Sequence, residues 1–182
     1  RGPMEMIFVL DCSGSMSGKP IEQAKVAIER ALKQLQPDDT FQIIRFSNRA
    51  SGFSPAPVAA TPENVRRGLA YLEQLSGSGG TQMIEGIKAS LGYPADPRRL
   101  RIVMFLTDGY IGNEAEIIEH VGANCGDQIR FWAIGIGSSP NMFLIDGVAR
   151  QGGGMGKRLG LDDIAAGLQA LGELFFPHPA PP

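Results

Sequence analysis

The sequence predicts an α/β fold in which helices cover both faces of a mostly parallel β-sheet. Four short apolar runs, rich in Ile, Val and Phe, have the character of strands that are buried on both faces. Amphipathic helical patterns lie between these runs. Because strands that alternate with helices form right-handed crossover units, these strands are expected to run parallel in one sheet. A chain of 182 residues is long enough for one well-buried domain and too short for two typical ones.

The predicted strands cover residues 4–10, 41–46, 100–106 and 129–136. Residues 50–53 are predicted to add a short edge strand that pairs antiparallel with its neighbour. The glycine-rich residues 152–156 lack the residue order of a phosphate-binding loop and are predicted to form a flexible turn.

The predicted helices carry apolar residues at intervals of three and four. Residues 20–36 place these apolar residues on one face and alternating acids and bases on the other, and Pro37 ends the helix. Thr61 and Pro62 are typical of an N-cap and a first helical position. The remaining helices are predicted to begin near Thr81, to follow a cap at Asn113, and to cover residues 141–150 and 162–174.

Residues 1–176 are therefore predicted to form one domain, followed by a proline-rich tail or linker at 177–182. A net charge of −2 without a basic block argues against binding to nucleic acid. No apolar run approaches the roughly 20 residues that cross a bilayer. Residues 1–4 lead straight into an apolar run that is too short for a signal peptide. Because the chain enters a predicted core strand so abruptly, we expect neighbouring domains in a longer chain.

The two cysteines are predicted to remain unpaired. Cys12 follows one strand and Cys125 precedes another, so they fall at opposite ends of the predicted sheet. Strand length separates those ends by roughly 17–20 Å, which is beyond disulfide reach. Cys12 is predicted to be a small, buried side chain rather than a reactive thiol.

Polar residues follow the predicted strands at the edge where open α/β sheets bind ligands. The first strand is followed by Asp11-Cys12-Ser13-Gly14-Ser15, and the strand at 100–106 by Thr107-Asp108-Gly109. Gly79-Gly80-Thr81 lies in the loop ahead of a helix. The candidate side chains are Asp11, Ser13, Ser15, Thr81 and Asp108.

These side chains offer two carboxylates and three hydroxyls, which suit a hard divalent cation. Mg²⁺ is favoured, because it prefers octahedral oxygen ligands, and Mn²⁺ or Ca²⁺ remain open. No pair of His or Cys has the spacing of a zinc site.

In this order, the residues resemble the metal-ion-dependent adhesion site of von Willebrand factor A domains. The resemblance extends from Met4 to about Phe176. The wider stretch LDCSGSMSGKPIEQAKVAIERALKQLQPDDTFQIIRFS is most similar to the A domain of inter-alpha-trypsin inhibitor heavy-chain-type proteins and their bacterial relatives.

The resemblance implies a Rossmann-like, doubly wound sheet of six strands with one short antiparallel edge strand. It implies that Ser13 and Ser15 bind the ion directly, that Thr81 binds it directly or through water, and that Asp11 and Asp108 act through water. It also implies a non-enzymatic module in which a protein partner presents an Asp or Glu to the ion. An extracellular, periplasmic or cell-surface location is expected from the resemblance alone.

Two other functions stay open from the residues. Asp11 could be the nucleophile of a Mg²⁺-dependent phosphohydrolase, although Ser13 stands where such enzymes carry a second acid. Alternatively, the domain could be structural, with a site that is not used. Thr81 could also simply cap the helix that follows it.

Overall fold

The computed structural model describes residues 2–109, 112–137, 139–154 and 156–159. The strands are β1 (Met4–Asp11), β2 (Thr40–Phe46), β3 (Ala50–Gly52), β4 (Val58–Ala59), β5 (Leu100–Thr107), β6 (Ile129–Ile136) and β7 (Gly156–Leu159). The helices are α1 (Lys19–Gln34), α2 (Pro62–Glu73), α3 (Met83–Leu91), α4 (Glu114–Asn124) and α5 (Met142–Gln151), and a short 3-10 helix (Gly14–Met16) precedes α1. The helix predicted at 162–174 and the tail predicted at 177–182 lie outside the described residues.

The strands form one sheet in the order β3-β2-β1-β5-β6-β7, and β4 also pairs with β2. β1 is parallel to both β2 and β5, and the parallel pairing continues through β6 to β7. β3 and β4 pair antiparallel with β2. The sheet is built outward from β1 in two directions, so the crevice at the carboxyl ends of β1 and β5 is the expected ligand site.

Two apolar layers cover the sheet, because successive side chains of a strand point to opposite faces. All eight residues of β1 are buried. Phe8 belongs to the layer that contains Ile28 of α1 and Leu72 of α2. Val9 belongs to the layer that contains Ile87 of α3, Val121 of α4 and Val148 of α5. The predicted α/β fold with helices on both faces is confirmed.

The sheet differs from the sequence prediction at its two edges. Residues 152–156 were predicted to be only a turn, but Gly156 begins β7, which pairs with β6 over four residues. The segment GKRL has no apolar run, so only its pairing with β6 makes it a strand. The two-residue β4 adds a second antiparallel partner of β2, so the described residues form a sheet of seven strands instead of six.

The predicted helix boundaries are close to the observed ones. Thr61 caps α2, because its Oγ1 accepts a hydrogen bond of 3.2 Å from the backbone N–H of Asn64. α1 ends at Gln34, before Pro37. Asn113 precedes α4, but its side chain forms no capping hydrogen bond and instead donates to Glu116.

The two cysteines are free, with Cys12 buried and Cys125 partly buried. The prediction that they remain unpaired is therefore confirmed, and burial raises the pKa of both thiols. Within the part of the chain that the structure describes, every helix is too short or too polar to span a bilayer.

Candidate metal centre

Loops that lie far apart in the sequence meet at the carboxyl end of β1. Asp11 is the last residue of β1, and Asp108 follows β5 directly. The pairing of Leu10 with Leu106 brings the two strand ends side by side. The loop before α3 is attached to the loop after β1 by two hydrogen bonds, from Gly14 N to Gly79 O (3.0 Å) and from Ser78 N to Cys12 O (2.8 Å).

The carboxylate of Asp11 is buried, with 0% of the residue exposed. Its Oδ1 accepts a hydrogen bond from Ser13 N (2.9 Å), and its Oδ2 accepts one from the hydroxyl of Thr107 (2.6 Å). Burial raises the pKa of Asp11, and the charge of Asp108 acts in the same direction, whereas the hydrogen bonds from Ser13 and Thr107 lower it. The protein therefore holds this carboxylate firmly in a place where its negative charge is costly.

The hydroxyls of Ser13 and Ser15 lie side by side, with their Oγ atoms 3.1 Å apart. Ser13 is buried and Ser15 is exposed, so the pair leads from the interior to the surface. Adjacent corners of an octahedron with bonds of roughly 2.0–2.1 Å are about 2.8–3.0 Å apart. The two hydroxyls could therefore occupy neighbouring positions around one small cation.

Asp108 is 8% exposed, and hydrogen bonds fix the main chain on both sides of it. Gly109 N donates to Thr107 Oγ1 (2.8 Å), and Asn141 N donates to Asp108 O (2.9 Å). Gly109 has a φ of +78°, a backbone conformation that favours glycine. The loop after β5 thus turns sharply and keeps Asp108 near Asp11.

Thr81 is partly exposed and lies in a loop that is attached to the end of β2. Gly80 N donates to Asn48 Oδ1 (2.8 Å), and Gln82 N donates to Ser47 O (2.7 Å). The N-cap of α3 is Gln82, so the interpretation of Thr81 as a simple helix cap is wrong. Its hydroxyl could therefore serve as a ligand without opening the helix.

Close backbone contact explains why position 77 is a glycine. A Cβ on Gly77 would lie 2.6 Å from Ser17 N and 2.8 Å from Ser13 O. Only glycine lets the loop before α3 approach the loop after β1 so closely.

Three further residues fix the candidate ligands, and the sequence motifs include Thr107 but neither of the other two. Thr107 holds Asp11, Asn48 holds the loop of Thr81, and Asn141 holds the loop of Asp108. Asn48 follows the carboxyl end of β2, so the rule that selected Asp11 would also have selected it. Nothing in the local sequence connects Asn141 with this site.

The donor set fits a hard cation better than a soft one. Among residues 2–109, 112–137, 139–154 and 156–159, no group of three His, Cys, Asp or Glu could hold a metal ion. The candidate side chains, two carboxylates and three hydroxyls, offer only oxygen donors, which suit a hard divalent cation.

A model of the von Willebrand factor type A domain matches residues 4–157. The chain belongs to this family. As an A domain it is 37% identical, over 147 residues, to a von Willebrand factor A domain-containing protein of Dictyostelium discoideum, covering 80% of this chain and 16% of that protein. It is 30% identical, over 173 residues, to the inter alpha-trypsin inhibitor heavy chain 4 of Mus musculus, covering 88% of this chain and 18% of that protein. The A domain thus spans less than a fifth of the length of these relatives.

Solved structures share the fold of this A domain. The von Willebrand factor type A protein from Catenulispora acidiphila aligns with a TM-score of 0.82 at 19% identity, covering 93% of this chain and 42% of that one. Proximal thread matrix protein 1 from the mussel byssus, solved with a zinc-occupied metal-ion-dependent adhesion motif, aligns with a TM-score of 0.78 at 16% identity, covering 96% of this chain and 48% of that one. The resemblance predicted from the sequence is confirmed for the family and the fold.

Proposed function

We propose that this A domain holds one divalent cation, Mg²⁺ by preference, and uses it to bind an acidic side chain of a protein partner. Ser13 and Ser15 would bind the ion directly. Thr81 would bind it directly or through water, and Asp11 and Asp108 would act through water. The ion would supply a positive charge that attracts a carboxylate in a partly desolvated cleft.

The burial of Asp11 carries this proposal. Its charge is removed from water and lies near a second carboxylate, and no Lys or Arg among the described residues forms an ion pair with it. A buried acid without a cationic partner is costly. A cation held by the neighbouring serine hydroxyls would offset that cost, and hydrogen bonds already occupy both carboxylate oxygens, which suits a role through water.

The mussel byssus protein supports the proposal, because its adhesion motif holds zinc in a fold with a TM-score of 0.78 to this one. Zinc in that protein supports a divalent cation here, but it does not identify the ion, which is inferred from the ligands of this chain. Two carboxylates and three hydroxyls favour Mg²⁺, with Mn²⁺ or Ca²⁺ as the alternatives.

A non-enzymatic role fits the geometry better than the phosphohydrolase alternative. A nucleophilic carboxylate needs one oxygen that faces the substrate. Both oxygens of Asp11 accept hydrogen bonds, from Ser13 N and the Thr107 hydroxyl, and the residue is 0% exposed.

We further propose that the domain acts within a longer protein, at an extracellular, periplasmic or cell-surface location.

Cation uptake is the first expected result. Mg²⁺ or Mn²⁺ at a hundred times its dissociation constant should add about 2.7 kcal/mol to the free energy of unfolding. For a domain of this size that is a rise in melting temperature of roughly 5–10 °C, reversed by EDTA. Isothermal titration calorimetry should give one site.

Two serines of the same loop provide a matched pair for this test. Ser15→Ala should lose most of the rise, because it removes a proposed ligand. Ser17→Ala should keep it, since Ser17 is also exposed but is not a proposed ligand. An equal loss in both variants, or no heat of binding in the unaltered protein, would contradict the proposal.

Peptide selection tests the proposed partner chemistry. A random peptide library selected on the Mg²⁺-loaded domain should yield peptides with one indispensable Asp or Glu, and EDTA should release them. Replacing that acid by its amide should abolish binding. Selection on Asp108→Ala should enrich none of these peptides. Peptides without an acid, or complexes that survive EDTA, would count against a metal-bridged contact.

A further inference from the structure

Asn141 stands at the start of α5, and four of its hydrogen bonds join three parts of the chain. Its backbone N–H donates to Asp108 O (2.9 Å), and its Nδ2 donates to Gly109 O (2.9 Å) and to Glu114 Oε1 (3.1 Å). Its Oδ1 accepts from Leu144 N (3.3 Å) and caps α5. One residue thus connects the loop after β5 with the first turns of α4 and α5.

These contacts exceed what a helix cap requires. A cap needs one side-chain acceptor, as Thr61 provides for α2 with a single bond to Asn64 N. The amide of Asn141 adds donors, and it directs them to the carbonyl of Gly109 and the carboxylate of Glu114. Serine or threonine would cap α5, but each has a single hydroxyl donor on a shorter side chain and cannot replace the two donors of the amide.

Gly109 is in turn connected to the carboxylate of Asp11 by two further hydrogen bonds. Gly109 N donates to Thr107 Oγ1, and the hydroxyl of Thr107 donates to Asp11 Oδ2. Asp108 lies in the chain between Thr107 and Gly109, which both take part in these hydrogen bonds. A Cβ on Gly109 would approach the Cβ of Asn141 to 2.9 Å, so the loop packs directly on this side chain.

We infer that Asn141 is a positioning residue, which fixes the loop of Asp108 so that both carboxylates can act on one cation. The inference rests on the proposed function for its effect on the cation, but the loop geometry itself can be tested without metal. Residues that orient metal ligands from outside the coordination sphere typically change metal affinity by roughly 10–100-fold.

Asn141→Ser separates positioning from capping. The serine hydroxyl can still accept from Leu144 N, but it is shorter than the amide and has one hydrogen, so it cannot replace the bonds to Gly109 O and Glu114 Oε1. The dissociation constant for Mg²⁺ or Mn²⁺ should rise roughly 10–100-fold, while the melting temperature in EDTA should fall by only a few degrees, about as much as in a variant that loses one helix cap. Thr61→Ala is the matched control: losing its cap should lower the melting temperature in EDTA and leave metal affinity unchanged.

Amide hydrogen exchange provides the readout that needs no metal. In EDTA, the Gly109 amide of Asn141→Ser should exchange about fivefold faster or more, because the loop loses a hydrogen bond. If Gly109 exchange is unchanged, the positioning role is overturned whether or not metal binds. If the unaltered protein takes up no cation, the proposed function fails, and faster exchange would still support Asn141 as the residue that fixes the loop. Asn141→Ser with unaltered metal affinity would refute its effect on the site.

Discussion

Asp11→Asn is expected to abolish cation binding without destabilising the metal-free domain. Opposite unit charges 4 Å apart at an effective dielectric constant of 20 attract by about 4 kcal/mol, a factor of roughly a thousand in affinity. The amide keeps an acceptor for Ser13 N, and its NH₂ group can donate to Thr107 Oγ1 in place of the present bond. Removing a buried charge that burial disfavours should leave the unfolding free energy in EDTA equal or higher.

Calorimetry with Mg²⁺ and denaturant unfolding in EDTA would measure the two effects separately. Asp127→Asn is the control, because Asp127 is exposed in the turn before β6, at the other end of the sheet. It should change neither quantity. If Asp11→Asn kept its affinity within tenfold, Asp11 would not act on the ion. If it strongly destabilised the metal-free domain, the carboxylate would have a structural role instead.

The residues at the strand ends show how far the sequence determines this site. Asp11 and Asp108 were predicted because each follows a long apolar run, and parallel strands end at the same edge. Thr107 belongs to the same motif, but its bond to Asp11 depends on the register between β1 and β5. Asn141 was missed because the chain reaches this edge again only after β6.

The same reasoning explains what could be predicted of the fold. β1 and β5 are long runs buried on both faces, so composition alone identifies them. β7 is short and carries Lys157 and Arg158, so it is a strand only through its pairing with β6. Local patterns identify elements that bury apolar side chains, and they miss elements that are defined by backbone partners.

β1 carries a buried acid near each end, and the two acids have different hydrogen-bond partners on β5. Glu5 is directly paired with Arg101 on β5, and Arg101 Nε donates to Glu5 Oε2 at 2.6 Å. Asp11, at the other end, faces the neutral hydroxyl of Thr107. At the amino-terminal edge the guanidinium of Arg101 thus balances the charge of Glu5. At the carboxyl-terminal edge a bound cation would balance the charge of Asp11.

Arg101→Met is therefore expected to destabilise the domain strongly and to leave the dissociation constant for Mg²⁺ unchanged. Arg101 is 3% exposed and also donates to the carbonyls of Tyr93 and Pro94, so its loss leaves Glu5 and two acceptors without these bonds. Breaking a buried pair in this way costs about 3–5 kcal/mol.

The double variant with Glu5→Met should recover part of the loss, since it removes the isolated charge but not the lost carbonyl bonds. Arg98→Ala, which breaks an ion pair between Asp96 and an exposed arginine, should leave the free energy of unfolding nearly unchanged, because water screens exposed charges. Denaturant unfolding would measure these losses, and a cost below about 1 kcal/mol for Arg101→Met would mean that water reaches Glu5 despite its burial.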